Sequence, residues 1–176
     1  DMVVEFAASG EVMWSWDSFD HLDPYRIGYD ALDAYWHVRG FPGAADWTHG
    51  NGVTYDQRDD SVLVSLRLQD CILKIDRTSG KIVWILGDHS DWSPELQSRL
   101  LTPVGNNFRW PWHMHNPRIT SEGTIVLFDN GIYGARPGQQ RVPFHRSFSR
   151  GVEYRVDEQA MTVEQVWASA LTDDDV

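Results

Sequence analysis

A single cysteine, Cys71, is present in 176 residues, so no disulfide can form within the chain. Cys71 opens an apolar stretch and reads as a small buried hydrophobe, not as a reactive thiol. No apolar run is long enough to cross a membrane as a helix, and no signal peptide is visible. Positive charge is scarce. Fifteen Lys and Arg stand against 26 Asp and Glu, a formal net charge of -11, which argues against non-specific nucleic-acid binding and against docking on an anionic membrane surface. An acidic chain can still bind an anion, but only where Arg and His gather locally. Hydrophobic residues are plentiful at 41%, nine of them Trp, enough to fill one ordinary core with indoles between packed sheets.

Alternation with period two dominates what is there. Residues 46–67, D-W-T-H-G-N-G-V-T-Y-D-Q-R-D-D-S-V-L-V-S-L-R, predict a strand at 53–55, a polar turn and a second strand at 62–66. Antiparallel pairing puts the start of the first strand and the end of the second at one sheet edge. His49, Asn51 and Arg67 therefore share a rim. Residues 110–130, W-P-W-H-M-H-N-P-R-I-T-S-E-G-T-I-V-L-F-D-N, repeat the device with strands at 118–120 and 124–128, bringing His113 and His115 to the same edge as Asp129 and Asn130.

Three further hairpins, 3–6 with 12–16, 71–75 with 82–86, and 152–156 with 162–168, each carry a Trp on the second strand: Trp14, Trp84 and Trp167. Assembled in order, 53–55, 62–66, 71–75 and 83–86 form one four-stranded meander, and 119, 124–128, 152–156 and 162–167 a second. A repeated antiparallel meander with a recurrent aromatic is the signature of a β-propeller. The fold class is all-β. Residues 1–176 would supply two blades and the outer hairpin of a third, with the two sheets face to face and Trp84 and Trp167 on outer strands. Because a ring needs about four to eight blades, the rest is expected from a longer chain or from a partner copy. Residues 17–42, including Phe19, Leu22, Tyr25, Tyr35 and Trp36, suit one or two short helices. Ser93 and Pro94 suit the start of another. Residues 131–148 read as a long rim loop, where function is commonly carried. The polar end at 173–176 has no evident packing partner.

The rim residues His49, Asn51, Arg67, His113, His115 and Asn130 include no carboxylate. Arg offers a fixed fork of donors, Asn a neutral donor, and His a donor, a base or a nucleophile, a set able to hold a tetrahedral oxyanion. Two other readings of the same residues are a non-catalytic binding platform and a metal-dependent hydrolase using His49, His113 and His115. The H-x-H pair has no third ligand fixed by spacing, and no bound transition metal is expected.

Several stretches closely resemble the bacterial arylsulfate sulfotransferases: W-T-H-G-N-G-V-T-Y-D-Q-R-D-D-S-V-L-V-S-L-R, K-I-D-R-T-S-G-K-I-V-W-I-L-G, the H-x-H before the following strand, L-F-D-N-G, and S-R-G-V-E-Y-R-V-D. The resemblance runs through nearly the whole chain. It implies a six-bladed propeller with the site on its central face, and transfer of a sulfuryl group from a phenolic sulfate ester to a phenol through a sulfated histidine. Neither a nucleotide sulfate donor nor a metal is implied, and the compartment implied is the periplasm. By position the nucleophile falls on His115, the sulfate-binding pair of T-H-x-N on His49 and Asn51, and the arginine closing V-S-x-R on Arg67. His113 and Asn130 join the substrate-binding set at the rim. One further family histidine would precede residue 1. Met114 and Asn116 flank the nucleophile where relatives carry other residues, and a cysteine-bearing insertion is missing before Trp110. These departures bear on acceptor preference.

Overall fold

The computed structural model describes residues 1–32 and 36–169. Tyr35 and the polar end at 173–176 lie outside the described residues. Among the described residues eleven strands account for the architecture: β1 (Met2–Phe6), β2 (Val12–Asp17), β3 (Gly50–Asp56), β4 (Ser61–Leu66), β5 (Cys71–Asp76), β6 (Ile82–Gly87), β7 (Thr102–Val104), β8 (His115–Ile119), β9 (Ile125–Asp129), β10 (Arg150–Asp157) and β11 (Thr162–Ala168). β1 and β2 form a two-stranded ribbon, and β3-β4-β5-β6 an antiparallel meander. The second sheet was expected to have four strands and has five, in the order β7-β11-β10-β9-β8. Its extra strand, β7, runs parallel to β11. The helices expected within 17–42 and after Ser93 are 3-10 turns, at Ser18–Asp20, Tyr29–Leu32, His37–Arg39 and Pro94–Arg99. Ser93 occupies the cap position without a side-chain cap bond.

Every residue of β4 is buried, because both faces of its sheet are covered. Val62, Val64 and Leu66 pack with Leu73, Ile75 and Ile85 toward Trp16 of the β1–β2 ribbon. Leu63, Ile72, Trp84 and Leu86 pack the opposite face against Ile125, Leu127, Val152 and Tyr154 of the second sheet. The two sheets are thus face to face, and alternation along each strand sorts its side chains between two cores. Trp84 lies on the outer strand β6, 1% exposed, its indole N–H donating to Glu158 at 2.9 Å. Trp167 is half exposed, and β7, not β11, closes that side of the sheet. In the ribbon the deeper indole is Trp16, not Trp14. Cys71 is fully buried, and burial pushes its thiol up to about 12, so the thiolate is suppressed.

The first strands of the two sheets, β3 and β8, meet edge to edge without a ladder. Pro117 removes a donor from β8 and suits it to an edge. Side chains join the edges instead: Thr54 Oγ1 donates to Pro117 O at 2.5 Å, and Asn51 Nδ2 to Met114 O at 3.0 Å. Away from that seam, the buried Lys74 ammonium of β5 joins Asp59 of the β3–β4 turn to Glu158 of the β10–β11 turn in the second sheet.

The seam leaves no room at Gly52, where a Cβ would stand 2.8 Å from the Asn116 backbone and 2.8 Å from Ser65 Oγ. Gly52→Ala should force β3 and β8 apart and cost about 1–3 kcal/mol, measurable as a lowered urea midpoint with an unchanged slope. An unchanged midpoint would mean that the seam is slack.

Candidate active site

The run Trp110-Pro111-Trp112-His113-Met114-His115-Asn116-Pro117 cannot be helical, since two prolines bias the residues before them to extended backbone. It is held point by point from outside. Trp112 N donates to Asp129 Oδ1 at 2.8 Å, His113 N to Asp70 Oδ1 at 3.1 Å, and Met114 O accepts from Asn51. His113 (φ 52°) and Asn116 (φ 53°) are left-handed, and a bulge between His115 and Arg118 interrupts the pairing with β9. Such conformations cost about 1–3 kcal/mol each and persist where surroundings over-determine them. Here they aim His115, the first residue of β8. His115 thus lies inside the strand, which starts earlier than expected from sequence.

On the other sheet, Arg67 N donates to His49 O at 3.1 Å. The two residues stand side by side at the edge of β3 and β4, as antiparallel pairing requires. His49 Nδ1 is 2.6 Å from Asp46 Oδ2, which leaves Nε2 without a partner in that pair. Asn51 is engaged at both ends of its amide, accepting from Ser65 Oγ at 2.6 Å while donating to Met114 O. One amide N–H remains for a ligand.

His115 Nδ1 lies 3.2 Å from Asn130 Nδ2. Its basicity is lowered, first by burial and then by the charges of Arg67 and His49; hydrogen bonding to the His113 backbone carbonyl acts weakly the other way. His49, Arg67 and His115, from two sheets, therefore act on one another. As drawn, the Asn130 amide nitrogen fits a proton on Nε2. Turning the amide over would place its oxygen at Nδ1, put the proton there, and bare the Nε2 lone pair.

Beneath this rim is a buried ionic cluster. His113 is 1% exposed. Its Nε2 is 3.2 Å from Asp30 Oδ2, and its Nδ1 is 3.0 Å from Asp70 Oδ1. The second contact is off the hydrogen-bonding line and acts as an ion pair. Arg67 Nη2 reaches the same Asp30 oxygen at 3.3 Å, and Arg136 Nη1 reaches Asp70 Oδ2 at 3.0 Å. Burial works against a charged His113, but the hydrogen bond to Asp30 and the adjacent Asp70 carboxylate outweigh it and raise its basicity. For Asp30, burial is outweighed by the hydrogen bond and charge of His113, aided by Tyr133 and Arg67, so its carboxyl is lowered.

Carboxylates thus hold the site, although the expected binding set contained none and Asp129 was placed only at the same edge. Asp30 comes from the Tyr29–Leu32 turn and Asp70 from the left-handed turn before β5 (φ 50°). Asp129 is a turn anchor, accepting from Trp112, Gly131 and Arg150. Within the expected rim loop, Arg136 is fully buried and ties the loop to Asp70, Ile27 O and Leu68 O. Among the described residues no group of three His, Cys, Asp or Glu side chains is arranged to hold a metal ion, and His113 gives both ring nitrogens to carboxylates. Nor is any described helix long and apolar enough to cross a membrane.

The geometry defines an all-β protein in which histidine, arginine and asparagine side chains from two sheets gather at one rim, backed by buried carboxylates. A model of the family described as Arylsulfotransferase (ASST) matches residues 1–172. The arylsulfate sulfotransferase AssT of Escherichia coli O6:H1 is 32% identical over 207 residues, covering 95% of this chain and 34% of that protein. The protein of the same name from Lelliottia amnigena is 31% identical over 207 residues, with the same coverage. The chain belongs to the arylsulfotransferase family, and it spans about a third of the length of these relatives.

The two histidines of H-x-H should titrate apart. In a nitrogen-15 histidine NMR titration, His113 should deprotonate above the ordinary value of about 6.5 and His115 below it. A raised folded-state value stabilises most below the unfolded value and is lost as pH rises through the folded one. His113→Gln should therefore cost on the order of 3 kcal/mol at pH 6 and less at higher pH, read from urea unfolding. A cost that grows with pH would mean that His113 is buried neutral.

Proposed function

We propose that the chain carries a sulfuryl-transfer site in which neutral His115 is the nucleophile, within a six-bladed propeller to which it contributes two blades and an outer hairpin. Under this reading the remaining blades come from further chain or a second copy, and the site works in the periplasm, as the family resemblance implies. The donor is a phenolic sulfate ester and the acceptor a phenol. The observation that carries the reading is His115 itself, a ring contacted by Asn130 whose basicity is lowered by burial and by its electrostatic interaction with Arg67 and His49.

In the first step the Nε2 lone pair attacks sulfur in line, the N–S bond forms and the S–O bond to the aryl group breaks, releasing phenoxide. Charge on the equatorial oxygens, as in phosphoryl transfer, would be met by the Arg67 fork and the remaining N–H of Asn51. Phenoxide, whose conjugate acid has a pKa of about 10, is a competent leaving group, and His49, oriented by Asp46, can supply its proton. The second step reverses the first. His49 takes the proton of the acceptor phenol, its oxygen attacks sulfur, and the N–S bond breaks. Asn130 would fix the His115 tautomer, with its oxygen turned to Nδ1. His113 is too deeply buried to touch substrate, so its role in this scheme is positional.

Initial rates of the native protein at several acceptor concentrations should give parallel double-reciprocal lines, with a burst of phenol in the first turnover. His115→Ala should abolish the burst, while His113→Ala should slow turnover. Arg67→Lys keeps the charge but loses the fork, and should lower the rate about a hundredfold or more. The acid limb of kcat/KM should lie below pH 6.5, because attack requires the unprotonated ring and burial lowers its basicity. Intersecting lines, or a burst retained without His115, would contradict the scheme.

A further inference from the structure

We propose that Asp30 is a positioning residue for this transfer, its Oδ2 fixing the Arg67 guanidinium against the buried His113 ring. The proposal rests on the reading of His115 and Arg67 given above. Asp30 belongs to neither sheet. It sits in the Tyr29–Leu32 turn, 37 residues from Arg67 and 83 from His113. Yet one of its oxygens takes Arg67 Nη2 at 3.3 Å, from the end of β4, and His113 Nε2 at 3.2 Å, from the approach to β8. A single atom thus bridges the functional edges of the two sheets. His113 cannot shift to follow a mobile partner, since its backbone N–H and its ring are both set against Asp70, which Arg136 holds in turn.

The consequence falls on Arg67. An unrestrained arginine side chain samples many rotamers, and ordering it costs entropy. Tied at Nη2, it samples fewer orientations of its other donors before the substrate arrives, so that less of that ordering remains for the transition state. Asp30 also supplies the counter-charge between Arg67 and His113, both of which act on His115. Without it, two cations would repel each other across the gap, and the fork would swing away from the position it must hold. The Tyr133 hydroxyl, hydrogen-bonded to Asp30, steadies the carboxylate from the 131–148 segment.

The test is a double-mutant cycle in the native protein, using Asp30→Asn and Arg67→Lys singly and together, with Asp30→Glu as the conservative variant. Two quantities are read: the first-turnover rate with nitrophenyl sulfate, and the affinity for inorganic sulfate. Asp30→Asn should lower the first-turnover rate about ten- to a hundredfold, with Asp30→Glu recovering part of it. In the Arg67→Lys background the same change should cost less than about threefold, because the guanidinium that Asp30 orients is already gone. Sulfate affinity should show the same non-additivity. A full Asp30→Asn cost in both backgrounds, or an Asp30→Asn protein with a lowered melting temperature and an unchanged burst, would overturn the proposal. If the wild-type protein gives no burst, the sulfuryl-transfer reading fails, and the sulfate cycle alone decides Asp30: coupled losses support it and additive losses refute it.

Discussion

The structure depends most on one buried anion. Asp70 is 2% exposed, in a left-handed turn between β4 and β5, and a carboxylate there costs several kcal/mol unless it is fully compensated. The compensation comes from far along the chain. Arg136 reaches in from the 131–148 segment, and His113 gives Asp70 its backbone N–H and places ring Nδ1 beside it. Meeting the needs of one carboxylate therefore draws together the first sheet, the approach to the second and the long loop. His115 follows two residues after His113, across a backbone bent by left-handed residues at 113 and 116, so its position is inherited from the buried cluster below.

The same cluster divides two neighbouring histidines by their surroundings. His113, between two carboxylates, is held toward the protonated form, and His115, beside Arg67 and His49, toward the neutral one. Titratable groups pushed apart in this way are the mark of distinct acid, base and nucleophile roles. Under the proposed reading, a chain of net charge -11 presents an anion site because its cations are gathered at one rim. Its carboxylates lie behind the rim, where they orient the cations that face outward.

Local pattern carried the sequence reading a long way and then stopped for physical reasons. Alternation at 62–66 located β4, and antiparallel geometry alone paired His49 with Arg67, because both facts are fixed within a few residues. Strand β7 has three residues including Pro103, and its parallel pairing with β11 spans some sixty residues, so no local period announces it. His115 was placed before its strand because Pro117 and the left-handed Asn116 disguise the start of β8. The carboxylates were missed for a related reason. A rim inferred from strand ends counts only residues that flank strands. Asp30 belongs to a separate turn, and Asp70 reads as an ordinary turn residue until Arg136 and His113 are seen to converge on it.

The claim at the centre of this account is that His115 takes the sulfuryl group covalently. The direct measurement is peptide mass spectrometry of the native protein, mixed with nitrophenyl sulfate without acceptor and quenched at alkaline pH within the first turnover. A sulfuryl increment confined to the peptide bearing His115, localised to that ring by fragmentation and discharged on adding a phenol, is the predicted result. An increment on His49 or His113, or release of a stoichiometric burst of phenol with no increment on any peptide, would contradict it.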